Sequence, residues 1–407
     1  MKLDLFSPKQ LRAIDNADGF INILEGAVRS GKTMAANVAW IFHLMQSPHE
    51  EFLMSGESTD SLYRNVIDDL IGILGQDRAF YYQNRKGGAQ LVLKLNETKV
   101  CYCRGSKNKD AEGSIRGMTI AGWYADEVTL HHETFVKQAI NRMSLNGAKA
   151  IWTTNPDSPF HYIKKEYIEK ANEREYKNFK FRLEDNLTLS DRYKRNLKQA
   201  YSGVWHKRFI EGLWVKAEGL IYDMFHDKHI NRKKTTGKKI IACDYGTGNP
   251  TVFLLIDVDR DKVHVEREYY YSGRDSGVQK TDSQYANDMT DFLNNNGVPR
   301  NTEIIVDPSA ASFIVELRQR GLNVQKANNA VIDGIRNVSM KLSKNEISVD
   351  PECEKTIEEF HTYSWDENAQ NKGEDKPLKE NDHCMDALRY GVMSRLQKAR
   401  AVRSLAM

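Results

Sequence analysis

One eight-residue stretch near the start, Gly26-Ala-Val-Arg-Ser-Gly31-Lys32-Thr33, restricts what this chain can become more than any other. It matches G-x-x-x-x-G-K-[ST], whose glycines let the backbone turn so that successive N–H groups face a phosphate. In that pattern the lysine reaches the outer phosphates and the threonine hydroxyl ligates Mg²⁺. An apolar run, Phe20-Ile-Asn-Ile-Leu24, precedes it as a strand should, and Met34 to Met45 follows as a helix. Strand, glycine loop and helix in this order predict an α/β domain that binds a nucleoside triphosphate. Gly26, Arg29, Ser30, Gly31, Lys32 and Thr33 would surround its phosphates.

At 407 residues the chain exceeds one ordinary core and predicts two domains. A hydrophobic share of 40% and a charged share of 28% suit a globular protein. A net charge of +3 is too small to argue for nucleic acid, so the distribution of charge matters more. Basic residues gather at 192–208 (Arg192, Lys194, Arg195, Lys198, Lys207, Arg208) and 228–239. A third group follows Asp386 (Arg389, Arg395, Lys398, Arg400, Arg403). Five cysteines without paired C-x-x-C argue against structural zinc and suit a reducing compartment. No apolar run reaches membrane-spanning length, so no membrane partner is expected.

The first half alternates strand-like segments (20–25, 51–55, 99–103, 119–125, 149–154) with helical ones, Ser58 to Leu74 and Glu133 to Met143 among them. This pattern belongs to a mostly parallel sheet. Residues from about 157 read as a helical lid or connector. This predicts a P-loop domain over 1–220, a basic linker over 221–238 and a second domain over 239–407. The second domain opens with three closely spaced strands, 240–244, 251–257 and 262–270. Helix 283–295, strand 303–307, helix 311–320 and strand 322–326 follow, giving a mixed sheet. Asp366 to Asp382 reads as an exposed loop, and the stretch from Tyr270 to Ser283 as a mobile hairpin.

Hydrolysis needs acids beside the phosphates. Thr119-Ile-Ala-Gly-Trp-Tyr-Ala-Asp126-Glu127 is an apolar strand ending in two carboxylates. Asp126 would hold the Mg²⁺ shell and Glu127 would polarise the attacking water. Thr153 and Asn155, in the turn after a further strand, are placed to sense the outer phosphate, and Gln10 to meet the adenine edge. Arg29 in cis or Arg142 in trans would neutralise transition-state charge; sequence does not rank them. In the second half Asp244 and Asp307 end strands, and Asp386 opens the final helix with His383 one turn earlier. Carboxylates converging there would repel one another unless two Mg²⁺ or Mn²⁺ neutralised them, the arrangement for phosphodiester cleavage. The order of strands and helices resembles an RNase H-like nuclease.

Taken together, these residues resemble the large terminase subunit of tailed double-stranded DNA bacteriophages over nearly the whole chain. The resemblance includes Gly113-Ser-Ile-Arg116-Gly117 ahead of Asp126-Glu127, the Thr153-Thr154-Asn155 turn and the three later aspartates. It implies an ATPase that moves double-stranded DNA into a procapsid and a metal-dependent endonuclease that cuts concatemeric DNA. It also implies a homo-oligomeric ring on the portal protein, a small terminase subunit that selects the site, and action in the host bacterial cytoplasm. The basic runs would contact DNA phosphates. A helicase-like translocase with an RNase H-like nuclease, or an ATP-switched DNA clamp without nuclease activity, remain the alternatives.

Overall fold

The computed structural model describes residues 6–84, 88–233, 236–246 and 249–405. The chain divides into two compact units. The first is Met1–Lys198 with Val204–Lys216 and Asn371–Glu374; the second is Gln199–Gly203 with Ala217–Gln370 and Asp375–Met407.

The first unit opens with α1 (Pro8–Asp15), started by a capping box in which Ser7 and Gln10 exchange backbone-to-side-chain bonds. Strands β1 (Ile21–Gly26), β2 (Glu51–Gly56), β3 (Ala79–Asn84), β4 (Gly88–Lys94), β5 (Thr98–Gly105), β6 (Gly122–Ala125), β7 (Lys149–Thr154) and β8 (Tyr176–Phe181) follow. They form one sheet in the order β3-β4-β5-β2-β6-β7-β1-β8. Across the sheet from β5 to β8 every pairing is parallel, while β3 and β4 add an antiparallel edge. Helices α2 (Lys32–Gln46), α3 (Thr59–Leu62), α4 (Asp68–Leu74) and α5 (Glu133–Arg142) connect the strands. Further along the chain come α6 (Asp191–Ala200) and α7 (Gly203–Phe209). Apolar clusters form around Trp40, Phe52 and Tyr124 and around Trp123, Phe135 and Trp152. The central strands carry buried residues at successive positions, as a parallel sheet covered on both faces requires.

Two expectations change here. The strand expected over 119–125 shortens to Gly122–Ala125. A Cβ at Gly122 would lie 2.7 Å from His43 Nε2 and 2.9 Å from the Lys149 carbonyl, so only glycine admits the imidazole that bonds the Ala121 carbonyl at 3.0 Å. The region from 157, read as helical, contributes β8. That strand joins the sheet at its edge, where one flank needs no apolar cover and the sequence stays polar.

In the second unit β9 (Lys238–Asp244), β10 (Thr251–Asp259), β11 (Lys262–Tyr271), β12 (Glu303–Val306), β13 (Val324–Lys326) and β14 (Ile347–Val349) order as β13-β12-β9-β10-β11-β14. The β9-β10-β11 meander is antiparallel and the other pairings are parallel, giving a mixed sheet. The helices are α8 (Gly273–Ser276), α9 (Asp282–Asn295), α10 (Ala311–Gln319), α11 (Val331–Ser343), α12 (Glu354–Thr362), α13 (Glu367–Asn371) and α14 (His383–Leu405). α14 lies across β9 and β10, flanked by α11 and α12.

The stretch expected as a linker packs into this unit instead. Ile221, Tyr222 and Phe225 are buried, with Phe225 stacked on Phe360 at 4.0 Å between centroids. Composition signalled its charge but not these aromatic anchors. Asp366 to Asp382 is not a bare loop either: it contains α13, and Gln370 and Asp382 are buried. The Tyr270–Ser283 stretch holds the short α8. All five cysteines are buried and free, and no helix among the described residues is long and apolar enough to cross a membrane.

Candidate active sites

Register brings the first site together. β6 pairs with β7 through Ala125 and Trp152, and β7 with β1 through Thr154 and Glu25. The residues just beyond those strand ends therefore share one edge of the sheet, where parallel α/β folds bind ligands. Gly26 has φ 142°, and a Cβ there would sit 1.9 Å from the Phe181 carbonyl oxygen, so no other residue fits. Gly31 (φ 86°) and Arg29 (φ 56°) complete the turn in left-handed conformations. Loop carbonyls are pinned from outside, Gly31 by Gln10 Nε2 at 3.0 Å and Arg29 by Asn186 Nδ2 at 2.8 Å. α2 begins at Lys32, aiming its positive dipole end at the same place.

These elements enclose a cleft of about 460 Å³ lined by Arg29, Ser30, Gly31, Lys32, Thr33, Asp126, Glu127 and Asn155. Lys32 is buried; its Nζ donates to Asn155 Oδ1 at 2.6 Å and the Ala27 carbonyl at 3.3 Å. Burial lowers its pKa, against the opposing pull of Glu127 and Asp126. Burial, reinforced by the Glu127 charge, raises Asp126 to about 6, while Asn65, Thr153 and Lys32 pull it back. Thr153 joins the two acids: its hydroxyl donates to Asp126 Oδ1 at 2.9 Å and accepts from the Glu127 N–H at 3.1 Å. Asn155 closes the circuit, its Nδ2 donating to the Glu127 carboxylate at 2.8 Å. Ser30 Oγ is buried without a partner, an orphan polar atom of the kind a phosphate oxygen satisfies. The chemistry of the lining therefore fits a Mg²⁺-bound triphosphate.

Two expected residues stand elsewhere. Gln10 lies behind the loop, with Oε1 on the Ser7 N–H and Nε2 on Gly31, and does not line the cleft. Arg142 ends α5, and its carbonyl accepts from Ile120 ahead of β6, at the opposite edge of the sheet. Arg29 alone of the two arginines reaches the cleft.

In the second unit Asp244 pairs with Val252, and Cys243 pairs with Val306, so Asp244 and Asp307 emerge on one sheet edge. His383 Nδ1 lies 2.9 Å from Asp244 Oδ2. Asp307 accepts from the Ser309 N–H and the Tyr390 hydroxyl, both at 2.6 Å. Burial pushes the Asp307 carboxyl up, but these donors leave it below its ordinary value. Asp386 Oδ1 accepts from Arg389 at 2.7 Å, and Lys379 Nζ lies 3.5 Å from Oδ2. Burial raises Asp244, and the nearby Asp386 adds to the rise.

Asp244, Asp307, His383 and Asp386 thus occupy the expected elements, but protein donors hold their oxygens in this arrangement. Among the described residues no group of three or more His, Cys, Asp or Glu side chains is gathered closely enough to hold a metal. The donor set itself, three carboxylates and an imidazole, is of the kind that suits a hard divalent cation. Of these contacts the one from Lys379 to Asp386 Oδ2 is the longest, so the acids fit a metal once that contact opens.

Part of the basic runs is engaged within the protein. Arg208 is buried, donating to the Val215 carbonyl and pairing with Asp157 at 2.8 Å. Lys198, Arg232, Lys238 and Lys239 pair with Glu184, Glu352, Glu303 and Glu266. Lys234 lies outside the described residues, as do the side chains of Arg395, Lys398, Arg400 and Arg403.

Residues 23–226 match the family model described as terminase large subunit, T4likevirus-type, N-terminal, and residues 244–394 match the terminase RNAseH like domain. A large terminase from a thermophilic bacteriophage is 39% identical, with a TM-score of 0.90 over 96% of this chain and 99% of that one. The chain belongs to the terminase large subunit family. Structures of the same phage terminase with ADP and with ATP-gamma-S align with TM-scores of 0.87 and 0.86, each 38% identical over 95% of this chain and 98% of that one. No curated protein sequence matches it. The chain thus carries a terminase ATPase domain followed by an RNase H-like nuclease domain.

Sequence reasoning missed several residues of both terminase sites. Asn65, which donates to Asp126 Oδ2 at 3.1 Å, sits in a π-helical turn, Tyr63–Ile67, inside what reads as one helix. Such bulges re-aim a side chain, and no sequence period reveals them. Arg64, Asp69 and Asn186 also line the cleft. Tyr390 was legible in principle, since it stands one helical turn after Asp386.

Proposed function

We propose that the first unit hydrolyses ATP to drive double-stranded DNA into a procapsid, and that the second makes the endonucleolytic cuts that begin and end packaging. The carrying observation is the Lys32–Asn155–Glu127 chain, in which one amide holds both the phosphate-reaching cation and the water-polarising acid. In this reading Lys32 leaves Asn155 for the outer phosphates, and Asn155 then transmits their presence to Glu127. Thr153 keeps Asp126 and Glu127 a fixed distance apart while they work. Mg²⁺, held by Thr33 and Asp126, would supply charge neutralisation at the phosphates. Arg29 is the better-supported arginine for cis stabilisation, and Arg142 would act only from a neighbouring copy in a ring. The structures of the thermophilic phage terminase with ADP and ATP-gamma-S support ATP as the nucleotide.

For the second unit we propose Mg²⁺- or Mn²⁺-dependent cleavage at Asp244, Asp307 and Asp386, with His383 assisting Asp244. The partners in this reading are the portal protein, a small terminase subunit that selects the site and further copies of this chain, in the host bacterial cytoplasm. Lys32→Ala should abolish ATP turnover and leave Mn²⁺-dependent plasmid cleavage intact, and Asp307→Ala should do the reverse. Loss of both activities in correctly folded Lys32→Ala protein would contradict two separable sites. Equal, negligible cleavage by wild type and Asp307→Ala would remove the nuclease assignment. Capture by purified portal protein separates a packaging motor from a repair translocase.

A further inference from the structure

The nuclease centre contains two protein cations that play no part in the reading above. Arg389 is buried and donates to Asp386 Oδ1 at 2.7 Å. Its side chain crosses Gly334 of α11, where a Cβ would stand 2.1 Å from Arg389 Cγ, so the helix is built to admit it. Arg389 is therefore a permanent counter-ion, and it leaves Asp386 Oδ2 as the oxygen open to exchange.

Lys379 faces that oxygen. Its Nζ lies 3.0 Å from Asp382 Oδ2 and 3.5 Å from Asp386 Oδ2. The two ends of this contact differ in exposure: the acid side chains are 6% and 11% exposed, but that of Lys379 is 66% exposed. The ammonium thus caps the acids from the solvent side, on a flexible stem in the segment leading into α14. Asp382 and Asp386 also both push on Asp244, so the charge that Lys379 offsets is felt across the centre. A lysine is a compact point charge that exchanges partners readily, unlike the fixed fork of Arg389.

We propose that Lys379 is a positioning residue that occupies the cation place at Asp382 and Asp386 until a DNA phosphate draws it away, which opens those oxygens to a divalent metal. The inference rests on the nuclease reading of this centre. It explains why a displaceable ammonium stands on acids whose chemistry suits a metal. DNA binding and metal loading then become one coupled event, and cleavage away from bound DNA is suppressed.

The test is Mn²⁺ affinity by electron paramagnetic resonance on the full chain, with and without a short DNA duplex whose integrity is checked by gel. Without DNA, Lys379→Met should bind Mn²⁺ roughly three- to ten-fold tighter than wild type, the scale of losing one part-exposed competing charge. Lys379→Arg, which keeps the charge, should stay close to wild type. DNA should tighten wild type toward the Lys379→Met value and change Lys379→Met little. Equal or weaker Mn²⁺ binding by Lys379→Met without DNA overturns the proposal, as does a wild type indifferent to DNA. Plasmid cleavage is scored separately: a wild type that cuts while Lys379→Met binds Mn²⁺ no tighter removes this inference and keeps the nuclease. A wild type showing the full binding pattern without cutting removes the nuclease instead.

Discussion

Asn155→Ala is the perturbation that most directly probes the ATPase site. In the wild type, Glu127 is anchored by the Asn155 amide at 2.8 Å and by the Asn155 backbone N–H at 3.1 Å. Alanine keeps the backbone bond and deletes the side-chain one. A hydrogen bond to a charged group is worth about 1.5–3 kcal/mol. If that bond holds Glu127 in its working orientation, its loss costs roughly 10- to 150-fold in rate. The same substitution frees Lys32 from its 2.6 Å bond to Asn155, so nucleotide binding should not suffer. Steady-state phosphate release should therefore show kcat falling within that range and KM moving by less than about three-fold. Asn155→Asp should behave differently. Its carboxylate would stand beside Glu127 and form a full ion pair with Lys32, raising KM as well as lowering kcat. Raised KM with unchanged kcat for Asn155→Ala would refute the reasoning, because Asn155 would then serve the nucleotide rather than Glu127.

Burial pushes the imidazoles of His43 and His131 down to about 4 and about 3 from an ordinary 6.5. Both are neutral in the folded protein and gain a proton on unfolding below pH ~6.5, so their contribution is present above that pH and lost as pH falls toward 4. At pH 5 the loss is about 2 kcal/mol each. Urea unfolding of the first unit should show it, and His131→Gln should remove about half of the slope; an unchanged slope would sink this account. Gly122→Ala should cost about 1–3 kcal/mol by overpacking against His43 and the Lys149 carbonyl, read as a lower Tm of the first unit. Glu359 caps α14 through the Cys384 N–H at 2.7 Å and the Met385 N–H at 3.2 Å. Glu359→Ala should destabilise the second unit by about 1–3 kcal/mol, with Gln restoring most of the loss; equal melting of both variants would argue against the cap.

Local chemistry made much of this protein legible from its residues. A glycine loop between an apolar run and a helix, paired acids ending a strand, and aspartates at later strand ends are short-range patterns whose meaning depends on backbone geometry and hydrogen-bond capacity. They were enough to place β1, α2 and the β9-β10-β11 meander, and to select Lys32, Asp126, Glu127 and Asn155 for one cleft. The place of Gly122 in an otherwise apolar strand is explained only by His43, a residue from another element. Gln10 and Arg142 were reasonable by type, but packing sent one behind the loop and the other to the far edge of the sheet.

Sequence alone thus determined which chemistries this chain carries: a phosphate loop with its acids, and three aspartates on elements of a nuclease-like sheet. Tertiary structure decided which of those groups are partnered and by whom. Asn155 bridges Lys32 and Glu127, and Arg389 and Lys379 occupy Asp386. The physical reason is that a side chain's type is local, whereas its charge state and its hydrogen-bond partner depend on neighbours that only the fold brings within about 3–4 Å.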